Sequence, residues 1–191
     1  LRLTGAGDVL GRPHATSDAS ELPPCDFGIV ATKAMHTDAA IAATAHAFAD
    51  GCVATVQNGI GNEETLARHV ERVIRGTTFP AGKLLEPGHV QWDVQGDTTF
   101  GPYDERTPLA EVERLADACT RAGMPAKAVE DARGPQWRNY MHLLAHRALA
   151  RQSEVFLARY EESFEPMVRQ FIADFREALP GADENALFHA V

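Results

Sequence analysis

The feature that most constrains the fold of this chain is an alternation of short apolar runs with helix-forming stretches over residues 26–82. The apolar runs are near-continuous, as expected for strands that are buried on both faces. The stretches between them have the length that crossover connections between parallel strands require. Strands are predicted over residues 26–33, 52–59 and 72–82, and helices over residues 37–51 and 61–73. This order predicts an α/β fold with a parallel sheet covered by helices on both faces.

The remaining sequence changes character twice. Turn-forming residues divide the stretch 84–103 and predict antiparallel strands there. A helix over 108–123 and an edge strand over 124–131 follow, and beyond these the pattern is helical. We therefore predict an α/β domain over residues 1–130 and an all-helical segment over residues 131–191.

Composition excludes several classes of function. The formal net charge of the 191 residues is −9 and no run of Lys or Arg is present, so we expect no nucleic-acid binding. No apolar stretch approaches the roughly 20 residues that span a bilayer, and the first residues do not form a signal peptide, so we expect no membrane and a cytoplasmic location. The three cysteines, Cys25, Cys52 and Cys119, form no CxxC pair, and we expect reduced thiols.

Two motif-like stretches do not have the context that their chemistry needs. GAGDVLG (5–11) has the spacing GxGxxxG, and Pro13 follows too soon for a helix to begin there, so we expect a flexible loop and no dinucleotide fingerprint. HLLAH (142–146) places two histidines on one helical face, but Leu143 stands where a zincin has its glutamate. With no clear third ligand, we expect a structural pair of histidines and no metal.

Lys33 and Asn58 each follow the end of a predicted parallel strand. In open α/β sheets, ligands bind in the crevice outside the carboxyl ends of the strands. The chain has only three lysines, which makes a lysine at such a place notable. Topology alone leaves two interpretations open for each residue: a binding role, or a solvated lysine and a simple Asn-Gly turn.

Three stretches, DFGIVATKAMHTDAA, VATVQNGIGNEETL and RGTTFPAGKLLEPGHV, resemble the ketopantoate reductase (2-dehydropantoate 2-reductase) family in order and spacing. ARGPQWR (132–138) looks like the lead into the substrate-domain helix of that family. The resemblance implies a Rossmann-like domain that binds NADP, and NADPH-dependent reduction of ketopantoate to pantoate in pantothenate biosynthesis. It places Lys33, Asn58 and the backbone of Gly82 at the cofactor, and Asn58 also at the substrate.

The sequence departs from the family pattern at two places. The family begins with a strand and a GxGxxG turn, and this sequence starts after that first βαβ unit and without Met, so we expect an incomplete Rossmann-like sheet in a fragment or processed product. The family helix reads W-R-K, whereas Trp137 and Arg138 are followed by Asn139. Because an amide has no proton to give near neutral pH, Asn139 cannot replace a catalytic lysine. We expect no catalytic residue in this chain, and impaired activity.

The sequence after residue 138 resembles the C-terminal helices of TetR-family transcriptional regulators, which form ligand pockets and dimer faces. Met167, Phe171 and Phe175 lie on one face of the last predicted helix, and such a face must be buried somewhere. The alternative to a reductase is therefore a non-enzymatic helical module for dimerisation or small-ligand binding, joined to an inert α/β remnant. On either interpretation a homodimer is a possible partner arrangement.

Overall fold

The structure is a computed structural model, and it describes residues 1–5 and 7–150. The chain divides into two compact units between Ala132 and Arg133. The strands are β1 (Arg2–Gly5), β2 (Val9–Leu10), β3 (Phe27–Val30), β4 (Cys52–Thr55), β5 (Val73–Thr78), β6 (Ala81–Glu86), β7 (His89–Val94), β8 (Thr98–Pro102) and β9 (Ala126–Ala128). The α-helices are α1 (Thr37–Thr44), α2 (Asn62–Leu66), α3 (Leu109–Arg121) and α4 (Arg133–Ala150). Short 3-10 turns cover Ala19–Glu21, Ala34–His36 and Ala45–Phe48.

The larger sheet of the first unit has five strands in the order β3-β4-β5-β8-β9. Strands β3, β4 and β5 are mutually parallel, β8 is antiparallel to β5, and β9 is parallel to β8. The parallel part confirms the predicted α/β architecture, because the crossovers between its strands contain α1 and α2.

Two apolar clusters cover the two faces of this sheet. Successive residues of a strand point to opposite faces, and β4 and β5 supply both clusters in this way. Ala54 and Ile74 pack with helix α3 on one face, whereas Val53 and Val73 pack with α1 and α2 on the other. Helix α3 buries one stripe, formed by Val112, Leu115, Ala116 and Cys119. The sheet therefore has the two-sided burial that its continuous apolar strands predicted.

The smaller sheet has four strands in the order β2-β1-β7-β6. Residues 72–82 were predicted as one strand, and that prediction is wrong: β5 ends at Thr78 and β6 begins at Ala81 in the other sheet. Pro80 lies at the break, where its ring removes a backbone donor that a continuous strand would need. The predicted antiparallel pairing in this part of the chain is confirmed for β6 with β7 and for β5 with β8.

Three local predictions are corrected. The loop expected over residues 5–11 is part of a hairpin, because β2 pairs antiparallel with β1, which itself pairs with β7. The helix predicted over 61–73 forms regular α-helix only over Asn62–Leu66. The helix predicted over 37–51 is α-helical only to Thr44 and continues as a 3-10 turn.

The second unit is described as helix α4. This agrees with a helical C-terminal part, and Trp137 and Tyr140 contact each other edge to face with ring centroids 5.9 Å apart. The predicted apolar face formed by Met167, Phe171 and Phe175 lies outside the described residues. No helix within the described part of the chain is long and apolar enough to cross a membrane.

Candidate functional site

The candidate site is formed by the loops that follow β3 and β4. These strands pair in parallel with Val30 opposite Thr55, so the segments that follow them leave the sheet at the same edge. Lys33 follows β3 and immediately precedes the 3-10 turn Ala34–His36, and its side chain is exposed. Asn58 follows β4 and is also exposed. The structure therefore brings Lys33 and Asn58 to neighbouring loops, as the strand order predicted.

A buried glutamine, Gln57, joins the two loops. Its side-chain amide donates to the Thr32 carbonyl oxygen at 2.7 Å and to the Thr37 hydroxyl at 2.9 Å. Its side-chain carbonyl accepts from the Thr55 hydroxyl at 3.1 Å. Only 8% of Gln57 is exposed, so water does not compete strongly for these bonds. Thr32 directly precedes Lys33, and Gln57 directly precedes Asn58.

This network was not predicted from the sequence. Thr37 is the first residue of α1, and its side chain bonds to Gln57. Gly61 holds the N-cap position of α2, and the Asn62 amide lies 3.5 Å from the Asn58 carbonyl oxygen. The one sequence feature that points to the network is a cluster of polar residues at the ends of two apolar strands. Such residues are common in turns, so the pattern alone did not identify the partners.

The loop after β4 turns through two glycines. Gly59 has φ +104° and Gly61 has φ +96°, a region in which side chains with a Cβ are strained. This backbone carries the chain from Asn58 directly into α2 within four residues. The Asn-Gly turn interpretation is thus correct for the backbone, and it leaves the exposed Asn58 side chain at the sheet edge.

Charged groups lie on α1 and in the segment that follows α2. Asp38 of α1 accepts from the His69 ring at 3.0 Å and from Arg68 at 3.2 Å, and these contacts join α1 to that segment. The hydrogen bond from His69 lowers the pKa of the Asp38 carboxyl below its usual value. Glu63 on α2 and Arg75 on β5 form a buried ion pair with 3.4 Å between Oε1 and Nε.

Gly82 lies in β6 of the smaller sheet. A Cβ at this position would come within 2.5 Å of the Gln91 carbonyl oxygen on the neighbouring strand. The absence of a side chain is therefore required by the packing of β6 against β7. A role for the Gly82 backbone at a cofactor stays a prediction.

Asn139 lies in helix α4 of the second unit, and only 7% of it is exposed. It is the third residue of the Trp137-Arg138-Asn139 sequence, on the buried side of the helix. Among residues 1–5 and 7–150, no group of three or more His, Cys, Asp or Glu is arranged to hold a metal ion.

Comparison with known proteins assigns the α/β part to a family. The model of the family "Ketopantoate reductase PanE/ApbA" matches residues 1–105, more than half of the chain. The chain belongs to this family. A 2-dehydropantoate 2-reductase from Archaeoglobus fulgidus is 34% identical over 137 residues, which are 72% of this chain and 45% of that protein. This chain thus spans about half the length of the curated relatives it matches.

Solved structures agree with this assignment. A PanE/ApbA family ketopantoate reductase from Ralstonia eutropha superimposes with a TM-score of 0.62 at 28% identity, over 72% of this chain and 45% of the other. A D-mandelate dehydrogenase solved with NADH and anilino(oxo)acetate gives a TM-score of 0.64 at 22% identity, over 72% and 46% of the two chains, and shows a common fold.

A second family model matches the C-terminal part. "Tetracyclin repressor-like, C-terminal domain" matches residues 124–191, so the similarity to TetR-type helices noted in the sequence is confirmed. The match begins before α4, within the stretch that leads to β9. The chain therefore combines a reductase-family α/β part with a C-terminal part that is similar to another family.

Proposed function

We propose that this chain binds a nicotinamide dinucleotide, with NADP as the preferred form, at the loops that carry Lys33 and Asn58. The observation that carries the proposal is the joining of these two loops by Gln57 at the carboxyl edge of parallel strands. An exposed ammonium fits the phosphates of a dinucleotide, and an exposed side-chain amide fits a carboxamide or a keto oxygen. The preference for NADP rests on the family, and nicotinamide binding agrees with the NADH in the D-mandelate dehydrogenase of similar fold.

The proposed substrate is 2-dehydropantoate, the substrate named for the relatives. A bound nicotinamide cofactor would supply a hydride to the keto carbon of such an acid. The part assigned to Asn58 is to orient the substrate by donating a hydrogen bond to its oxygen. The free cysteines in this chain agree with work in the cytoplasm.

The proposed chemistry is impaired by Asn139. A reduced keto oxygen needs a proton, and general acid catalysis by a positioned side chain contributes about 10²- to 10⁴-fold to rate. Asn139 stands where the resemblance places a lysine, and its amide cannot supply that proton. We therefore expect the wild-type chain to bind NADPH but to reduce 2-dehydropantoate slowly.

Binding and turnover are tested separately. NADPH titrated into the protein should bind, and Lys33→Ala should weaken the affinity about tenfold, which corresponds to about 1.4 kcal/mol. Lys127→Ala is the matched control, because Lys127 is an exposed lysine on β9 and should leave the affinity unchanged. Equal losses in the two variants would show that Lys33 has no specific role, and the absence of NADPH binding would overturn the proposal.

For turnover, NADPH oxidation is followed with 2-dehydropantoate present. The wild-type protein should be slow, and Asn139→Lys should raise the rate at least about tenfold, whereas Asn139→Gln should not. A wild-type rate in the ordinary enzyme range, about 1 to 10³ per second, would contradict the assignment of Asn139.

The match to TetR-type C-terminal helices favours a second candidate function. In that case the helical part mediates dimerisation or binds a small ligand, and the α/β part is inert. Analytical ultracentrifugation and NADPH titration together separate the two: a dimer that binds no NADPH supports the helical module, and NADPH binding by a monomer or a dimer supports the reductase proposal.

A further inference from the structure

We infer that Gln57 is a positioning residue that holds the Lys33 and Asn58 loops in one fixed arrangement, so that the two side chains meet a single ligand together. The inference rests on the proposed function for the identity of that ligand, a nicotinamide dinucleotide. It adds a residue that contacts neither cofactor nor substrate and acts through its two neighbours.

The bonds of Gln57 connect segments that are distant in sequence. Thr32 is 25 residues before Gln57 and Thr37 is 20 residues before it, so neither contact is a local turn bond. The bond to Thr32 is made to a backbone carbonyl, which fixes the path of the chain just before Lys33. The Gln57 backbone N–H also donates to the Thr55 hydroxyl at 3.2 Å, which fixes the start of the second loop to the end of β4.

This set of bonds needs a side chain that both donates and accepts, as the amide of Gln57 does. A carbonyl acceptor at Thr32 needs a donor, whereas the Thr55 hydroxyl donates and needs an acceptor. A leucine has nearly the same volume and neither capacity, so it would leave buried polar groups without partners.

A positioning role for Gln57 differs from a purely structural role in its effect on cofactor binding. Because Gln57 acts in part through Lys33, removing Gln57 should weaken cofactor binding much more while Lys33 is present than after Lys33 has been replaced. Double-mutant cycles measure such coupling directly.

The experiment measures NADPH affinity for the full chain in four forms: wild type, Gln57→Leu, Lys33→Ala and the double variant. Gln57→Leu should lower the affinity about tenfold in the wild-type background and less than about twofold in the Lys33→Ala background. An equal loss in both backgrounds would overturn the inference. Gln95→Leu is the matched control, because Gln95 is an exposed glutamine with one bond to the Gly123 carbonyl oxygen, and it should change neither value.

Hydrogen exchange provides a second readout that does not depend on any ligand. In Gln57→Leu the amides of residues 32–36 and 57–61 should exchange faster, and those of helix α3 should not change. Unchanged exchange in the two loops would overturn the inference even if NADPH binds. If the wild-type protein binds no NADPH but the two loops exchange faster in Gln57→Leu, the positioning role stands and the proposed function fails. Gln57→Met replaces Gln57→Leu if the latter does not fold.

Discussion

The buried pair of Glu63 and Arg75 allows a quantitative test of the fold beneath the site. Glu63 is 1% exposed on α2, and Arg75 is 8% exposed on β5. Their side chains approach to 3.4 Å, and the Arg75 guanidinium lies 5.3 Å from the centre of the Tyr103 ring. Within the described residues, no hydrogen-bond partner satisfies the Arg75 Nε group. The Nε side of the guanidinium therefore interacts with Glu63 through charge and not through a hydrogen bond.

These contacts set the loss in the free energy of unfolding that we expect when Glu63 is replaced. At 3.4 Å and an effective dielectric constant of about 20, the attraction is about 5 kcal/mol. Glu63→Leu removes it and leaves a buried cation, and removing one partner of such a pair costs about 3 to 5 kcal/mol. The contact of Arg75 with Tyr103 remains and retains about 1 kcal/mol. We therefore expect Glu63→Leu to lower the free energy of unfolding by about 3 to 4 kcal/mol.

Urea denaturation followed by circular dichroism measures this change. Arg114→Leu is the control: the Arg114 side chain is exposed, so its ion pairs with Glu111 and Asp26 and its contact with the Phe27 ring should contribute little. The double variant Glu63→Leu/Arg75→Met should recover most of the lost stability, since it buries no unpaired charge. A loss for Glu63→Leu no larger than that of Arg114→Leu would refute the assignment of a buried ion pair.

Two further predictions concern titratable groups. Burial raises the pKa values of Cys52 and Cys119, so both should resist alkylation in the native protein while the half-buried Cys25 reacts. Mass spectrometry after treatment with a thiol reagent measures the extent of modification at each cysteine. Modification of all three cysteines at one rate would contradict this prediction. The pKa of Asp38 is lowered by its hydrogen bond from His69, so its contribution to stability is present above its unfolded pKa and is lost as the pH falls through the folded pKa. The stability difference between wild type and Asp38→Asn should therefore shrink as the pH is lowered from about 5 toward about 2, and a constant difference would contradict the assignment.

The sequence predicted the parts of the fold that depend on local periodicity. Continuous apolar runs separated by helical stretches identified β3, β4 and β5 as a parallel group. Once that order was known, the position of Lys33 and Asn58 at one edge followed from the geometry of parallel strands. These two residues could be predicted as neighbours for this reason, although each is 25 residues from the other.

Features that depend on long-range pairing could not be predicted in the same way. A Pro inside an apolar run marks a break, but it does not show that the chain then enters a second sheet. Thr37 is of a type common at helix N-termini and Gln57 precedes an Asn-Gly turn, and only the folded structure shows that they bond to each other. Glu63 lies in the first turn of α2, where an acidic residue is stabilised by the helix dipole. Its position in the sequence therefore gives no sign of its ion pair with Arg75 on β5.

The most direct test of the central claim is to observe the backbone amide signals of the isotope-labelled protein while NADPH is added. We predict chemical-shift changes concentrated in residues 32–36 and 57–61, because the proposed contacts lie on those two loops. Changes confined to the four-stranded sheet, or no change at NADPH concentrations well above about 1 mM, would contradict the account.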